Sequence, residues 1–182
     1  MTEPTFDPAT DTRNVIDPYR GQSVEAIVAD LDMKRSALHI AVENVERDFN
    51  MGTIIRNANA FNVEKVHIIG RKQWNKRGAM KTDAYLHIQY YTSVDEFMQA
   101  MHADAREVIA FDIVEGAKQL HTTPLPERAV LVFGAEGPGL SQDLLSAANE
   151  VVCIEQFGST RSVNVGVASG IAMYAWMQQY RL

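Results

Sequence analysis

At 182 residues the chain suits one domain with a short appendage and leaves no room for two unrelated catalytic domains. A hydrophobic content of 46% with scattered charges describes a globular protein, and no stretch reaches the roughly 18 uninterrupted apolar residues of a membrane helix. The net charge of −6 argues at first sight against nucleic acid, but it is unevenly spread: residues 1–32 hold seven acids (Glu3, Asp7, Asp11, Asp17, Glu25, Asp30, Asp32) against Arg13 and Arg20, and the rest of the chain is nearly neutral. The single cysteine, Cys153, lies in the apolar run Val151–Ile154 and reads as a buried reduced thiol, which excludes a disulfide framework within one chain and favours a cytoplasmic setting. The first 25 residues have no basic start followed by an apolar core, so no signal peptide is predicted.

Residues 1–36 are expected to form an acidic arm, and residues 37–182 the main domain. With Pro4, Pro8 and Pro18 among polar neighbours, the first twenty residues read as extended or disordered. Ser23 then caps a short helix in which Val24, Ile27, Val28 and Leu31 make one apolar stripe suited to docking. From Leu38 the pattern is strand (38–43), helix (51–62), strand (65–69), a crossover that implies parallel strands. Asn62 is expected to end the helix in a left-handed cap. A helix at 94–102, strands at 108–114 and 130–133, a helix at 142–149, a strand at 151–155 and a long helix at 164–180 complete the pattern. The fold class is α/β, a mainly parallel sheet flanked by helices. The last helix is apolar on most of its circumference, which implies deep burial or a shared interface.

Arg71, Lys72, Lys76, Arg77 and Lys81 fall in one loop without a single acid, with Trp74 among them. Such a patch can hold phosphates on an acidic protein, and the indole offers a stacking surface for an unpaired base. A solvated loop anchored to the core by Trp74 would read the same way.

Three stretches place polar or glycine residues at strand ends just before helices, where open α/β sheets build ligand crevices. In the first, Asn50 can cap a helix, Gly52 leaves its first turn open to a ligand, and Arg56 follows one turn along. A capped helix with a surface arginine is the plainer alternative. In the second, Phe133-Gly134-Ala135-Glu136-Gly137-Pro138-Gly139-Leu140, the glycine spacing is neither the dinucleotide fingerprint nor a P-loop, and Glu136 would repel a pyrophosphate. A carboxylate there suits a cationic or hydroxyl-bearing ligand, or merely a tight turn. In the third, Ser162 and Asn164 bracket Val163 ahead of the last helix, an arrangement shared with ordinary N-caps. Asp112, at the end of its strand, is a further pocket candidate. His39, His67, His87, His102 and His121 have no metal-ligand spacing, so no metal is expected and they read as structural or surface residues.

In this order, Asn-x-Gly-x-x-x-Arg at 50–56, Phe-Gly-x-Glu-x-x-Gly-Leu at 133–140 and Ser-x-Asn-Val at 162–165 resemble the signatures of the SpoU family of S-adenosylmethionine-dependent RNA ribose 2′-O-methyltransferases, of the SPOUT superfamily, over roughly residues 37–180. The resemblance implies a SPOUT-type fold with a C-terminal trefoil knot, a homodimer with an active site spanning both copies, and tRNA or rRNA as substrate. It implies S-adenosylmethionine held by Phe133, Gly134, Glu136, Ile154, Ser162, Val163 and Asn164, to which Asp112 is added as a cofactor-pocket candidate on its strand-end position alone. Arg56 is the residue the family uses in catalysis; as a permanently charged fork it is expected to clamp phosphate and support the transition state. Asn50, Ser162 and Asn164 complete the catalytic set, with Asn50 and Ser162 orienting the ribose. RNA would be held by Arg71, Lys72, Trp74, Lys76, Arg77 and Lys81. The chain departs from the family at Asn62, Glu155, Gln156, Val163 and Gly166. A SPOUT base methyltransferase and a non-catalytic RNA-binding module are the alternatives.

Overall fold

Strand β1 (Ser36–Asn44) is an interior strand covered on both faces. Leu38, Ile40 and Val42 enter one apolar layer and Ala41 the other, as the two-residue period of a strand requires. The computed structural model describes residues 7–44, 50–134 and 139–182. Around β1 run α1 (Val24–Asp32), α2 (Met51–Ala60), β2 (Val63–Gly70), β3 (Ile88–Tyr91), α3 (Val94–Ala103), β4 (Glu107–Phe111), β5 (Lys118–Gln119), β6 (Ala129–Phe133), α4 (Gln142–Ala147), β7 (Glu150–Cys153) and α5 (Val165–Tyr180). The seven strands form one sheet in the order β3-β2-β1-β6-β4-β7-β5, and every neighbouring pair is parallel.

Helices cover both faces, as parallel sheets demand. Ile109, Leu131 and Phe133 join Ile54, Ile55 and Ala58 of α2 and Met173 and Trp176 of α5 on one side. Val108, Val130 and Val132 meet Phe97 and Met101 of α3 and Leu144 of α4 on the other. Two short edge strands, β3 and β5, lie outside the sequence pattern, and the strand expected over 108–114 stops at Phe111. Helix α2 ends at Ala60, and Asn62 takes the expected left-handed conformation at φ 47°. Among the described residues no helix is long and apolar enough to cross a membrane.

The arm is folded from residue 7 on, contrary to the extended or disordered expectation. Its Asp11 accepts from the Arg13 guanidinium and from the amides of Gly21 and Arg13, and these bonds hold the carboxyl well below the usual carboxylate range. Ser23 caps α1 by accepting from Ala26 N at 3.1 Å. The helix docks through Ile27 on Tyr85, in a separate small cluster with Tyr19. Arg35 ties this corner to the domain by donating to Asp32, to Asn62 Oδ1 and to the carbonyls of Val63 and Tyr85.

His39 and His67 are structural, as expected, but deeply buried. His67 Nε2 and His39 Nδ1 share a hydrogen bond of 2.9 Å, and His67 Nδ1 meets the Tyr91 hydroxyl at 3.2 Å. Burial lowers both pKa values to about 3. Glu64 lies 3.4 Å from His39 Nε2, yet Arg106 holds that carboxylate at 2.7 Å and its charge opposes a proton on His39. Since the folded pKa values lie below the ordinary value of about 6.5, the unfolded chain takes up protons first and stability falls as the pH drops below that value. Urea denaturation should therefore show a loss approaching about 2 kcal/mol per histidine between pH 7 and pH 5, above the range where the paired carboxylates titrate. His67→Gln should flatten that dependence; an unchanged slope would show that the pair is not held neutral.

Candidate active site

A cavity of about 460 Å³ opens at the carboxyl ends of β4, β6 and β7, where ligand crevices of open α/β sheets form. Its walls come from all three strand ends: Phe111, Asp112 and Ile113 after β4, Phe133 and Gly134 after β6, and Cys153 and Ile154 after β7. Ser162, Val163 and Asn164 close it from the start of α5. The predicted cofactor residues Asp112, Phe133, Gly134, Ile154, Ser162, Val163 and Asn164 thus converge on one space. Glu136 lies outside the described residues. Cys153 is half-buried and lines the cavity, whereas its apolar run implies a fully buried thiol.

The glycine loop after β6 is shaped by close backbone approach. A Cβ on Gly134 would stand 2.3 Å from Gly139 C and 2.6 Å from Leu140 N, so the chain can return over this point only with glycine there. Asp112 secures the return: Oδ2 accepts from Leu140 N at 2.9 Å and Oδ1 from Ile113 N at 2.7 Å. The carboxylate expected as a ligand contact therefore also serves as a backbone clamp. Glu43 secures the far side by accepting from Ser141 N at 2.7 Å, and the Ser141 hydroxyl caps α4. Sequence reasoning misses Glu43; its signal is an acid at the end of an otherwise apolar parallel strand.

The first and third motifs meet directly. Asn164 Oδ1 caps α5 by accepting from Gly166 N and Val167 N, while its Nδ2 donates to Asn50 Oδ1 at 3.0 Å. Asn50 does not make the side-chain cap on α2 that its position suggests: its backbone is already helical, at φ −84° and ψ −16°. Asn57 reinforces the junction by donating to Gly166 O and Ser169 Oγ. The departure at Gly166 has a packing cause, since a Cβ there would sit 2.8 Å from the Thr53 methyl group. Glu155 is harmless to the cavity: it turns away to the ring and amide of His121.

Gly52 is not an opening. It is buried, and its Cβ would lie 2.7 Å from Gly78 Cα and Ala79 N, so the glycine lets the basic loop dock on α2. Asn44 fixes the same loop by donating to the carbonyls of Arg71 and Gln73. Trp74 is half-buried against the core, with Lys76 Nζ 5.5 Å from its ring centroid, so it anchors the loop and is not a free stacking surface. Lys76 pairs with Asp83 at 2.7 Å and Lys72 stands over Tyr90. Arg71, Arg77 and Lys81 are exposed and, like Arg56, form no hydrogen bond or ion pair through their side chains with a described residue. Arg56 projects from α2 and does not line the cavity of its own chain. Among the described residues no group of three or more His, Cys, Asp or Glu side chains is placed to hold a metal ion.

This arrangement has counterparts. A tRNA (guanosine(18)-2′-O)-methyltransferase of Borreliella burgdorferi is 23% identical over 154 residues, covering 83% of this chain and 71% of that protein. The crystal structure of the A. aeolicus TrmH/SpoU tRNA modifying enzyme superposes with a TM-score of 0.75 at 21% identity, covering 86% of this chain and 81% of the other. A structure solved for insight into the 2-OH methylation of C/U34 on tRNA gives 0.69 at 27% identity, over 78% of this chain and 95% of that one. The sequence model of the SpoU rRNA Methylase family matches residues 37–174, a span that includes all three motifs, and the chain belongs to that family.

Proposed function

We propose that this chain is an S-adenosylmethionine-dependent RNA methyltransferase that methylates a ribose 2′-hydroxyl of tRNA or rRNA, acting as a homodimer in the cytoplasm. The observation that carries the reading is the Asn50–Asn164 bond, which joins the first motif to the third at the cavity. The cavity fits the cofactor in character. Phe111, Phe133, Ile154 and Val163 offer apolar walls for an adenosyl group, Gly134 and Gly139 bring bare backbone to the cavity wall, and Ser162, Asn164 and Gln156 supply polar contacts. When bound, S-adenosylmethionine supplies an electrophilic methyl group on a sulfonium.

The work left to the protein is alignment, because holding two reactants in line removes much of such a barrier. Asn50 and Ser162 orient the ribose, and Asn164 holds Asn50 in place while capping α5. Arg56 grips the phosphate next to the reacting ribose with its planar fork. Because Arg56 does not line its own cavity, it serves the cavity of a second copy. The surface for that copy is the exposed stripe Val167, Ile171 and Tyr174 on α5, which α2 flanks. Arg71, Lys72, Arg77 and Lys81 bind the RNA backbone, and Trp74 and Lys76 keep that loop in shape.

Calorimetry should show S-adenosylhomocysteine binding the purified protein with no added metal; binding of NAD or ATP in its place would overturn the cofactor assignment. Light scattering at micromolar concentration should give about twice the 20.3 kDa chain mass, and a persistent monomer would contradict the shared site. Arg56→Ala should leave S-adenosylhomocysteine affinity within a few-fold and lower RNA methylation at least about 100-fold, the scale of a lost transition-state contact. Arg56→Lys should recover little, since an ammonium lacks the two-pronged geometry. An alanine variant as active as the parent would make Arg56 an ordinary surface arginine.

A further inference from the structure

A large aromatic side chain stands in solvent beside the cavity. Phe157 is 97% exposed, more than any other large apolar side chain described. It belongs to the loop from Gln156 to Arg161, both ends of which line the cavity, and the loop is drawn together by Thr160 Oγ1 donating to Gln156 Oε1 at 3.5 Å. A Cβ on Gly158 would meet nothing within 4 Å, so the tip projects into open space. At the loop's other end Arg161 is exposed and forms no hydrogen bond or ion pair with a described residue. The segment from Gln156 to Arg161 contains no acid, and Glu155 before it is engaged by His121.

We propose that Phe157 and Arg161 clamp the target nucleotide, the phenyl ring stacking on its base and the guanidinium taking an adjacent phosphate, so that the ribose is presented at the cavity mouth. This rests on the RNA-methylation reading above. A single ring among Gln156, Gly158, Ser159, Thr160 and Arg161 suits one planar heterocycle, because every base has a π-face and base–aromatic stacking needs no surrounding apolar patch. A second copy of the chain calls for a continuous apolar surface, which α5 supplies through Val167, Ile171 and Tyr174. The planar fork of Arg161 matches phosphate, and an arginine without a partner among the described residues keeps its donors for such an anion. The two residues are positioning residues: neither touches the reacting atoms.

The test uses the full chain with total tRNA and rRNA, reading RNA affinity by fluorescence anisotropy in the presence of S-adenosylhomocysteine, and KM and kcat for methylation. Phe157→Ala should weaken RNA binding and raise the KM for RNA about tenfold, the scale of one base–aromatic stack, with kcat changed far less. Phe157→Tyr, which keeps the ring, should stay within about threefold. Arg161→Ala should weaken RNA binding and flatten its dependence on salt by roughly one phosphate contact. All three variants should keep the parental S-adenosylhomocysteine affinity and the parental mass by light scattering. Unchanged RNA affinity in Phe157→Ala overturns the clamp. So does a loss of cofactor affinity or of the dimer, since the ring or the arginine would then serve those partners. A parent that binds RNA without methylating it defeats the functional reading alone, and the binding arm still decides the clamp.

Discussion

The carboxylate of Glu43 and the amide of Asn44, both buried at the carboxyl end of β1, bind the backbone of two different loops. Glu43 accepts from Ser141 just beyond the glycine loop, and Asn44 donates to Arg71 and Gln73 in the basic loop. A buried polar group left without its partner costs about 1–3 kcal/mol, and more when it is charged, so neither loop can leave its position without exposing one of these groups to that loss. Strand β1 thereby fixes the spacing between the cavity proposed for the cofactor on one side and the proposed RNA surface on the other. Gly52 and Gly78 continue the same constraint, since their backbones meet without intervening side chains and carry the basic loop onto α2.

The sheet organises the chemistry by separating what must be apolar from what must be polar. Strands β4 and β6 are largely buried along their lengths, and at the carboxyl ends of β4, β6 and β7 the residues Asp112, Gly134 and Ile154 enter the cavity together. Helix α5 then brings Asn164 to Asn50, so that helix packing decides how the motifs align. The close contacts of Gly166 with Thr53 and of Asn57 with Gly166 O hold that alignment. Charge is separated as well: the acidic helix α1 packs on Tyr85, while exposed arginines and lysines occupy the loop before it.

Much of this is legible in the sequence, and the exceptions share a cause. The short apolar runs at Leu38–Val42, broken by His39, and at Val130–Phe133, and the helical spacing of Ile54, Ile55 and Ala58, are local properties, and they locate β1, β6 and α2 within a few residues. The three motifs likewise point to one crevice. What stays hidden depends on partners distant in sequence. Gly52 looks like an opening because nothing near it in the chain announces Gly78. Asn50 looks like a cap because Asn164, its actual partner, is far along the chain. Trp74 is ambiguous between solvent and core, a choice made by the tertiary packing. Edge strands β3 and β5 are too short to carry a pattern, and the order of the arm rests on Asp11, whose contacts with Arg13 and Gly21 no periodicity records.

The atom that receives the methyl group separates ribose methylation from every alternative. Incubating the purified chain with tritiated S-adenosylmethionine and separated tRNA and rRNA, then digesting to nucleosides, identifies it directly. A ribose 2′-O-methyltransferase should leave label in one RNA class, carried on a 2′-O-methylated ribose and lost when Arg56 is replaced by alanine. Label on a base, or no incorporation into either RNA by a protein that binds the cofactor, would contradict that assignment.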